Sequence, residues 1–223
     1  QIINLSLGYV GKYAVKSTGF SRAIFSSLAA QNTVVFAAAG NDGFVNGSRD
    51  ENGDYQFNFP SSYDHVIAVA ATNDDGELTS FSNRGELVDI AAPGYQVLST
   101  IPGSYQRMSG TSMATPVAAG AYALALASAQ KSFKAEAITN GNSRLDEEQA
   151  LLLLKNARVD GVSIDARMVA AGGVLDIAKL IAEVGVRFPV APEVVVPTER
   201  FESTFKIDGL KDGQTPAWPQ ALR

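Results

Sequence analysis

Residues 33–39 read Thr-Val-Val-Phe-Ala-Ala-Ala, an unbroken apolar run that ends at Gly40. A run of this kind is typical of a strand buried on both faces, as in a parallel sheet covered by helices on each side. Residues 2–7 predict a second strand, and the helical spacing of apolar residues over 20–31 predicts an amphipathic helix between the two. Further apolar strands are predicted at residues 65–71 and 87–91. This order of elements predicts an α/β fold with a parallel sheet.

Residues 113–129 are almost wholly apolar and rich in alanine. A transmembrane helix is one interpretation, but Pro116, Gly120 and a length below the roughly 20 residues that a bilayer requires argue against it. We therefore predict no membrane span and a buried central helix that accommodates Pro116 in its first turn. Two shorter helices are predicted at residues 146–157 and 176–184, each with an aspartate as its N-terminal cap.

The composition changes after residue 187, because five of the nine prolines lie within the last 35 residues. A proline-rich stretch of this length favours an extended linker over a packed domain. The sequence therefore predicts one folded domain over residues 1–187, followed by a Pro-rich linker or tail over residues 188–223.

The composition excludes several classes of function. The 223 residues include no cysteine and one histidine, His65, which excludes a disulfide scaffold, a thiol nucleophile and a thiolate or histidine-cluster metal site. The net charge is −5 and no cluster of Lys and Arg is present, so the chain lacks the basic surface that a nucleic-acid partner requires. The Gly- and Asn-rich stretch 42–58 carries acidic residues without the ligand spacing of a calcium loop, and we predict a solvated surface loop there.

Two polar residues follow glycine-marked turns where a parallel sheet gathers its ligands. Asn41 comes directly after a strand and Gly40, so its side chain is expected beyond the carboxyl end of that strand. Ser112 stands where a loop enters the central helix, close to the positive end of the helix dipole. Taken singly, Asn41 is an ordinary turn residue and Ser112 an ordinary helix cap. Together they are the residue types that an oxyanion donor and a nucleophile require.

The sequence around these residues closely resembles the subtilisin-like serine proteases, the subtilases. The stretch Gly-Thr-Ser-Met-Ala-Thr-Pro at 110–116 matches the nucleophile motif of that family at every position, and Ala-Ala-Gly-Asn at 38–41 matches its oxyanion-hole motif. Other stretches that match family motifs follow in the family's order: residues 3–8, 59–60, 66–69, 80–83, 92–94 and 172–176. The resemblance covers roughly residues 1–185 and is highly specific, since so many ordered matches do not arise by chance.

The resemblance implies a three-layer, subtilisin-like fold and a serine endopeptidase that hydrolyses polypeptide substrates. It makes Ser112 the nucleophile and Asn41 the side-chain oxyanion donor, joined by the backbone N–H of Ser112. It places the primary specificity pocket between one wall of Ser6, Leu7 and Gly8 and a second wall of Ala38, Ala39 and Gly40, with Asn58 near the floor. Small residues leave such a pocket open, so we expect a large apolar or aromatic substrate side chain before the scissile bond.

The partners of the serine are missing from this sequence. A serine nucleophile needs a base and a carboxylate that orients it, and in the family both precede the cleft strand at residues 2–7. Neither an Asp-Thr-Gly nor a His-Gly-Thr-His motif occurs here. His65 opens a seven-residue strand and is therefore expected roughly 20 Å from the carboxyl-end chemistry, at about 3.3 Å per residue. We expect a serine-bearing part of a peptidase domain, incomplete at its N-terminal side and inactive without an N-terminal portion that carries the Asp and the His.

Two other expectations concern stability and function. Without additional strands, the strand at 2–7 becomes a bare apolar edge, so we expect the chain to be stable only with its N-terminal portion or with a replacement for it. The main functional alternative is a non-catalytic peptide-binding relative, or pseudo-protease fragment. Other serine hydrolases are nearly excluded, because Ala114 stands where a Gly-x-Ser-x-Gly hydrolase needs glycine. The family further implies a secreted, periplasmic or cell-surface location and allows calcium, but the sequence assigns no calcium ligands and no cofactor.

Overall fold

The computed structural model of the protein describes residues 1–11, 19–140 and 147–187. Its strands are β1 (Ile2–Leu5), β2 (Tyr9–Gly11), β3 (Val34–Ala38), β4 (Phe57–Phe59), β5 (Val66–Thr72), β6 (Ile90–Pro93), β7 (Val97–Ile101) and β8 (Ser104–Met108). Its helices are α1 (Gly19–Ala30), α2 (Thr111–Asn140), α3 (Glu147–Asn156) and α4 (Ile177–Arg187). The predicted tail at 188–223 and the predicted cap Asp146 lie outside the described residues.

The main sheet has four parallel strands in the order β1-β3-β5-β6. Ile3 of β1 lies opposite Val35 of β3, and Ala37 of β3 lies opposite Ala68 of β5. Every residue of β3 and β5 is buried, which confirms the prediction of strands covered on both faces. Within the described residues, β3 is the only strand that pairs with β1 in this sheet, so β1 forms one of its edges.

Two hydrophobic clusters show that the sheet is the middle layer of three. On one face, Val35 and Val66 pack against Phe25 and Leu28 of α1. On the other face, Phe36 and its neighbours pack against α2, α3 and α4, with the ring of Tyr122 lying 5.8 Å from that of Phe36. The three-layer α/β fold predicted from the sequence is confirmed.

The predicted elements need several corrections of their bounds. β6 begins at Ile90, whereas a strand was predicted from residue 87, and β5 begins after His65 instead of with it. Pro116 lies in the second turn of α2, not the first, because this helix already begins at Thr111. The cap on α4 is as predicted, since Asp176 Oδ1 accepts a hydrogen bond of 3.0 Å from the N–H of Lys179.

The prediction of a buried central helix holds for one face of α2. Ala114, Ala118 and Ala125 are fully buried against the sheet, whereas Gly120 and Leu124 on the opposite face are exposed. In the parts of the chain that the structure describes, no helix has the length and apolar character needed to cross a membrane.

Candidate active site

Asn41 is fixed at the end of β3 by its contacts with Thr111, the first residue of α2. Asn41 Oδ1 accepts hydrogen bonds from the backbone N–H of Thr111 at 2.8 Å and from Thr111 Oγ1 at 3.1 Å. Thr111 Oγ1 in turn accepts a hydrogen bond from the N–H of Gly40 at 3.2 Å. Both donors of Thr111 require the amide oxygen of Asn41, so the two hydrogens of its Nδ2 have no partner among the described residues.

Ser112 lies in the first turn of α2, where Pro116 changes the hydrogen bonding. In a regular helix the residue at 116 would donate its N–H to the carbonyl of Ser112, but a proline has no N–H. Ser6 replaces the missing donor, because its Oγ donates to the Ser112 carbonyl at 2.8 Å. The Oγ of Ser112 donates to the Ser6 carbonyl at 3.3 Å, a long bond. Ser6 therefore holds the Ser112 backbone in place and leaves its hydroxyl only weakly engaged.

Two N–H donors beside the Ser112 hydroxyl have no partner among the described residues. The backbone N–H of Ser112 donates to none of them, as expected for the first turn of a helix, and neither does Asn41 Nδ2. Asn41 and Ser112 line the same cavity. A nucleophilic oxygen with two such donors nearby can attack a carbonyl and stabilise the negative charge that develops on its oxygen.

This cavity has a volume of about 300 Å³ and opens to solvent next to Ser112. We call it the specificity pocket because it lies where the resemblance predicts the pocket of that name. Its lining residues come from the segment after β1, from the end of β3, from β4 and from the start of α2: Leu7, Gly8, Tyr9, Val10, Ala38, Gly40, Asn41, Asp42, Asn58, Thr111 and Ser112. None of these described lining residues is a lysine or an arginine.

Asn58 is held between two glycines at the base of the pocket and is only 3% exposed. A Cβ on Gly8 would lie 2.8 Å from Asn58 Nδ2, and one on Gly40 would lie 2.9 Å from Asn58 Oδ1. The Nδ2 of Asn58 donates to the carbonyl of Ala38 at 2.8 Å and to Ser61 Oγ at 3.0 Å. The side chain fits because neither wall carries a Cβ at this level.

A second asparagine, Asn83, holds the loop that follows Asn41. Its Oδ1 accepts hydrogen bonds from the backbone N–H groups of Asp42 at 3.0 Å and Phe44 at 3.3 Å. The backbone N–H of Asn83 donates to the Gly40 carbonyl at 2.9 Å. Asn83 is fully buried, and its Nδ2 has no partner within the described part of the chain. The sequence motif at 80–83 drew attention to this residue without indicating its role.

The structure brings most of the predicted site residues together. Leu7, Gly8, Ala38, Gly40 and Asn58 line the specificity pocket with Asn41 and Ser112, whereas the remaining two predicted wall residues lie elsewhere. Ser6 contacts Ser112 instead, and Ala39 is fully buried, with its N–H on the carbonyl of Val69. Sequence reasoning missed Thr111 and Asn46 as supports. The Asn46 Oδ1 accepts the N–H of Asn58 at 3.1 Å.

The described residues that line the pocket include no histidine, so they do not supply the imidazole base that the resemblance implies. Asp42 and Tyr9 are the only described lining residues with acidic side chains, and the pKa of Tyr9 is raised by its hydrogen bond to Tyr63, whose hydroxyl lies 3.4 Å away. His65 is exposed, has a φ of +65°, and precedes the amino end of β5, an interior strand of the sheet. The pocket residues Ala38 and Gly40 lie at the opposite, carboxyl end of the neighbouring parallel strand β3.

The loop at 42–58 folds through its own hydrogen bonds. Asp50 Oδ1 accepts the N–H groups of Asn52 and Asp54, each at 2.9 Å, and the Arg49 guanidinium lies 4.1 Å from the centre of the Tyr55 ring. Across the described ranges, no three Asp, Glu or His side chains are grouped so that they could hold a metal ion.

Comparison with known proteins places this geometry in a family. A sequence profile of the subtilase family matches residues 1–166. The chain belongs to the subtilase family. It is 36% identical over 194 residues to an intracellular serine protease of Paenibacillus polymyxa, a match that covers 81% of this chain and 56% of that protein. It is 43% identical over 128 residues to subtilisin E of Bacillus subtilis, covering 56% of this chain and 30% of subtilisin E.

A solved structure of a subtilase relative supports the same assignment. The self-cleaved protease domain of PatA superimposes with a TM-score of 0.63 at 28% identity, covering 83% of this chain and 62% of that structure. This subtilase chain thus spans about half the length, or less, of the curated relatives described above.

Proposed function

We propose that this subtilase chain carries the nucleophile and the oxyanion hole of a serine endopeptidase. Ser112 Oγ attacks the carbonyl carbon of the scissile peptide bond while a base removes its proton. The carbonyl oxygen becomes an oxyanion and accepts hydrogen bonds from Asn41 Nδ2 and the Ser112 N–H. The base then returns the proton to the leaving amine, and water hydrolyses the resulting ester on Ser112. The observation that supports this proposal is that Asn41 and Ser112 line one cavity and that Asn41 Nδ2 and the Ser112 N–H have no partner among the described residues.

The base and its orienting carboxylate are proposed to come from residues outside this chain. His65 precedes the amino end of β5, whereas the pocket lies at the carboxyl ends of the strands. The strand β1, just before Ser6, has an edge with no pairing partner among the described residues, and the Ser6 carbonyl accepts the hydroxyl of Ser112. A polypeptide that adds a strand to β1 would reach the Ser112 hydroxyl from that side. The partner we propose is an N-terminal portion of the same protease domain that carries the Asp and the His, and without it this chain is inactive.

The substrate is proposed to be an extended polypeptide that binds beside residues 6–8. This segment connects β1 with β2, and Leu7 and Gly8 are exposed along the pocket. Extended peptides bind at such edges through backbone hydrogen bonds, and neighbouring pockets select their side chains. The names of the relatives include both an intracellular and an extracellular protease, so the secreted or cell-surface location remains a prediction.

The alternative function is a peptide-binding relative without catalysis, and the missing base is the observation that favours it. A fluorophosphonate probe separates the two, because it labels a serine only when a base activates it. We expect labelling of Ser112 in a longer form of the protein that carries the Asp and His motifs, and none in the Ser112→Ala variant. If the codons upstream of Gln1 encode neither motif, or if the longer form binds peptides but is not labelled, the peptide-binding function is correct.

A further inference from the structure

The hydrogen bonds of Asn58 determine which of its atoms faces the specificity pocket. The carbonyl of Ala38 can only accept, so the Asn58 atom that lies 2.8 Å from it must be the amide nitrogen. Ser61 Oγ already donates its hydrogen to the Asn58 carbonyl at 2.9 Å, so it must accept the second hydrogen of the same nitrogen. Both hydrogens of Nδ2 are therefore used. The Oδ1 of Asn58 is left as an acceptor without a donor among the described residues.

The position of this acceptor is fixed by the packing around it. The two hydrogen bonds of Nδ2, to the Ala38 carbonyl and to Ser61 Oγ, fix the orientation of the amide, and Asn46 holds the backbone N–H of Asn58. The Asn58 Oδ1 is not closed off from solvent. A substrate side chain that fills the specificity pocket therefore meets a preorganised acceptor at its base.

Asp42 adds a negative charge to the same pocket. It lines the pocket, is exposed, and is positioned by its backbone N–H, which donates to Asn83 Oδ1. The other lining residues supply apolar surface from Leu7, Val10 and Ala38. An apolar wall, an acceptor at the base and a carboxylate suit a side chain with a long aliphatic stem and a cationic, hydrogen-donating head.

We infer that the specificity pocket selects lysine or arginine in the substrate residue before the scissile bond, with Asn58 and Asp42 as the specificity-determining residues. This inference rests on the proposed protease function and replaces the expectation of a large apolar or aromatic side chain. An apolar side chain would cover the Asn58 acceptor without providing a donor, and a buried acceptor without a donor is costly. The lysine or arginine head donates to Asn58 Oδ1 and is attracted by Asp42.

The test uses matched pairs of tetrapeptide p-nitroanilides that differ only in the residue before the scissile bond, measured on the longer, active form of the protein. Lysine is compared with norleucine, which has the same stem without the ammonium group, and arginine with citrulline, which keeps the donors without the charge. We expect kcat/KM for lysine to exceed that for norleucine by about ten-fold or more. We expect the ratio of arginine to citrulline to fall about five-fold in Asp42→Asn and to fall with rising salt.

The control variant is Glu51→Gln, which removes an exposed carboxylate from the same loop at a residue that does not line the pocket. Its two ratios should equal those of the unmodified protein. Fluorophosphonate labelling of Ser112 is measured on every variant. If Ser112 is labelled but the norleucine substrate is cleaved as well as or better than the lysine substrate, the inference is wrong and the protease function stands. The same conclusion follows if the ratio of arginine to citrulline is unchanged in Asp42→Asn. Absence of both labelling and turnover refutes the protease function, and the inference falls with it.

Discussion

Gly40→Ala tests whether the turn after β3 is packed as tightly as the structure indicates. Gly40 has a φ of +106°, a value that costs alanine about 1–2 kcal/mol. Its new Cβ would also lie 2.2 Å from Asn83 Nδ2 and 2.9 Å from the Cγ of Asn58. Both asparagines are buried and hydrogen-bonded, so relief requires them to shift, at a cost of about 1–3 kcal/mol for overpacking. We expect a total loss of about 3 kcal/mol in the free energy of unfolding.

Gly53→Ala is the matched control for this experiment. Gly53 also has a positive φ, +83°, but a Cβ there would meet no atom within 4 Å. Only the backbone cost of about 1–2 kcal/mol is expected. The two variants are compared by thermal and urea unfolding, in whichever form of the protein purifies as a folded monomer. At about 2–4 °C per kcal/mol, Gly40→Ala should lower Tm by about 6–12 °C and Gly53→Ala by about 2–8 °C. Equal losses of unfolding free energy would refute the close packing of Gly40 on Asn58 and Asn83.

Four further predictions follow from contacts in the same domain. Ser6→Ala should cost about 1 kcal/mol of unfolding free energy. In a double-mutant cycle, the same substitution should cost less in a Pro116→Ala background, because residue 116 can then donate its own N–H to the Ser112 carbonyl. An undiminished cost in that background contradicts the role given to Ser6. Asn41→Ala should reduce kcat by about 10²–10³-fold, a magnitude known from subtilisin itself, with little change in KM; an equal rise in KM would indicate a binding role. The pKa of Asp165 is lowered to about 2, mainly by its side-chain hydrogen bond with Arg167. The ionised Asp165 therefore stabilises the fold above the ordinary carboxyl pKa, and this stabilisation is lost as the pH falls towards 2. The Asp165→Asn variant should have a lower unfolding midpoint than the unmodified protein at about pH 6 and the same midpoint near pH 2. This chain alone should self-associate through β1 in size-exclusion chromatography, and cooperative unfolding of a monomer would count against that.

The fold was predictable because its central strands contain almost nothing but apolar residues. β3 and β5 are buried on both faces, and this burial requires the unbroken apolar runs seen at residues 34–39 and 66–71. The start of β6 was not predictable in the same way. Leu87 and Val88 extend the apolar run, but the segment before Ile90 pairs through turn hydrogen bonds such as Val88 N–H to the Gly85 carbonyl. Apolar sequence alone does not distinguish a buried turn from a strand.

The positions of Asn41 and Ser112 were predictable from local motifs, whereas their supports were not. The contacts of Thr111 and Asn83 join segments far apart in sequence, and a polar residue at such a position looks like an ordinary turn residue. Pro116 was a signal that could have been used further. A proline four residues after Ser112 requires another donor for the Ser112 carbonyl, and a search for that donor would have led to Ser6.

The hydrogen bonds between Asn41 and Thr111 join the turn after β3 to the first residue of α2, and both segments belong to this chain. The spacing of Asn41 and Ser112 is therefore set within the chain. Under the proposed function, a polypeptide that docks on β1 brings the base and its orienting carboxylate to a serine that is already in place. The proposed active site would then act as a two-input switch, in which peptide hydrolysis reports that two polypeptides have met. Under the same proposal, this chain is one half of a split-enzyme sensor, with the β1 edge as the surface that detects its partner.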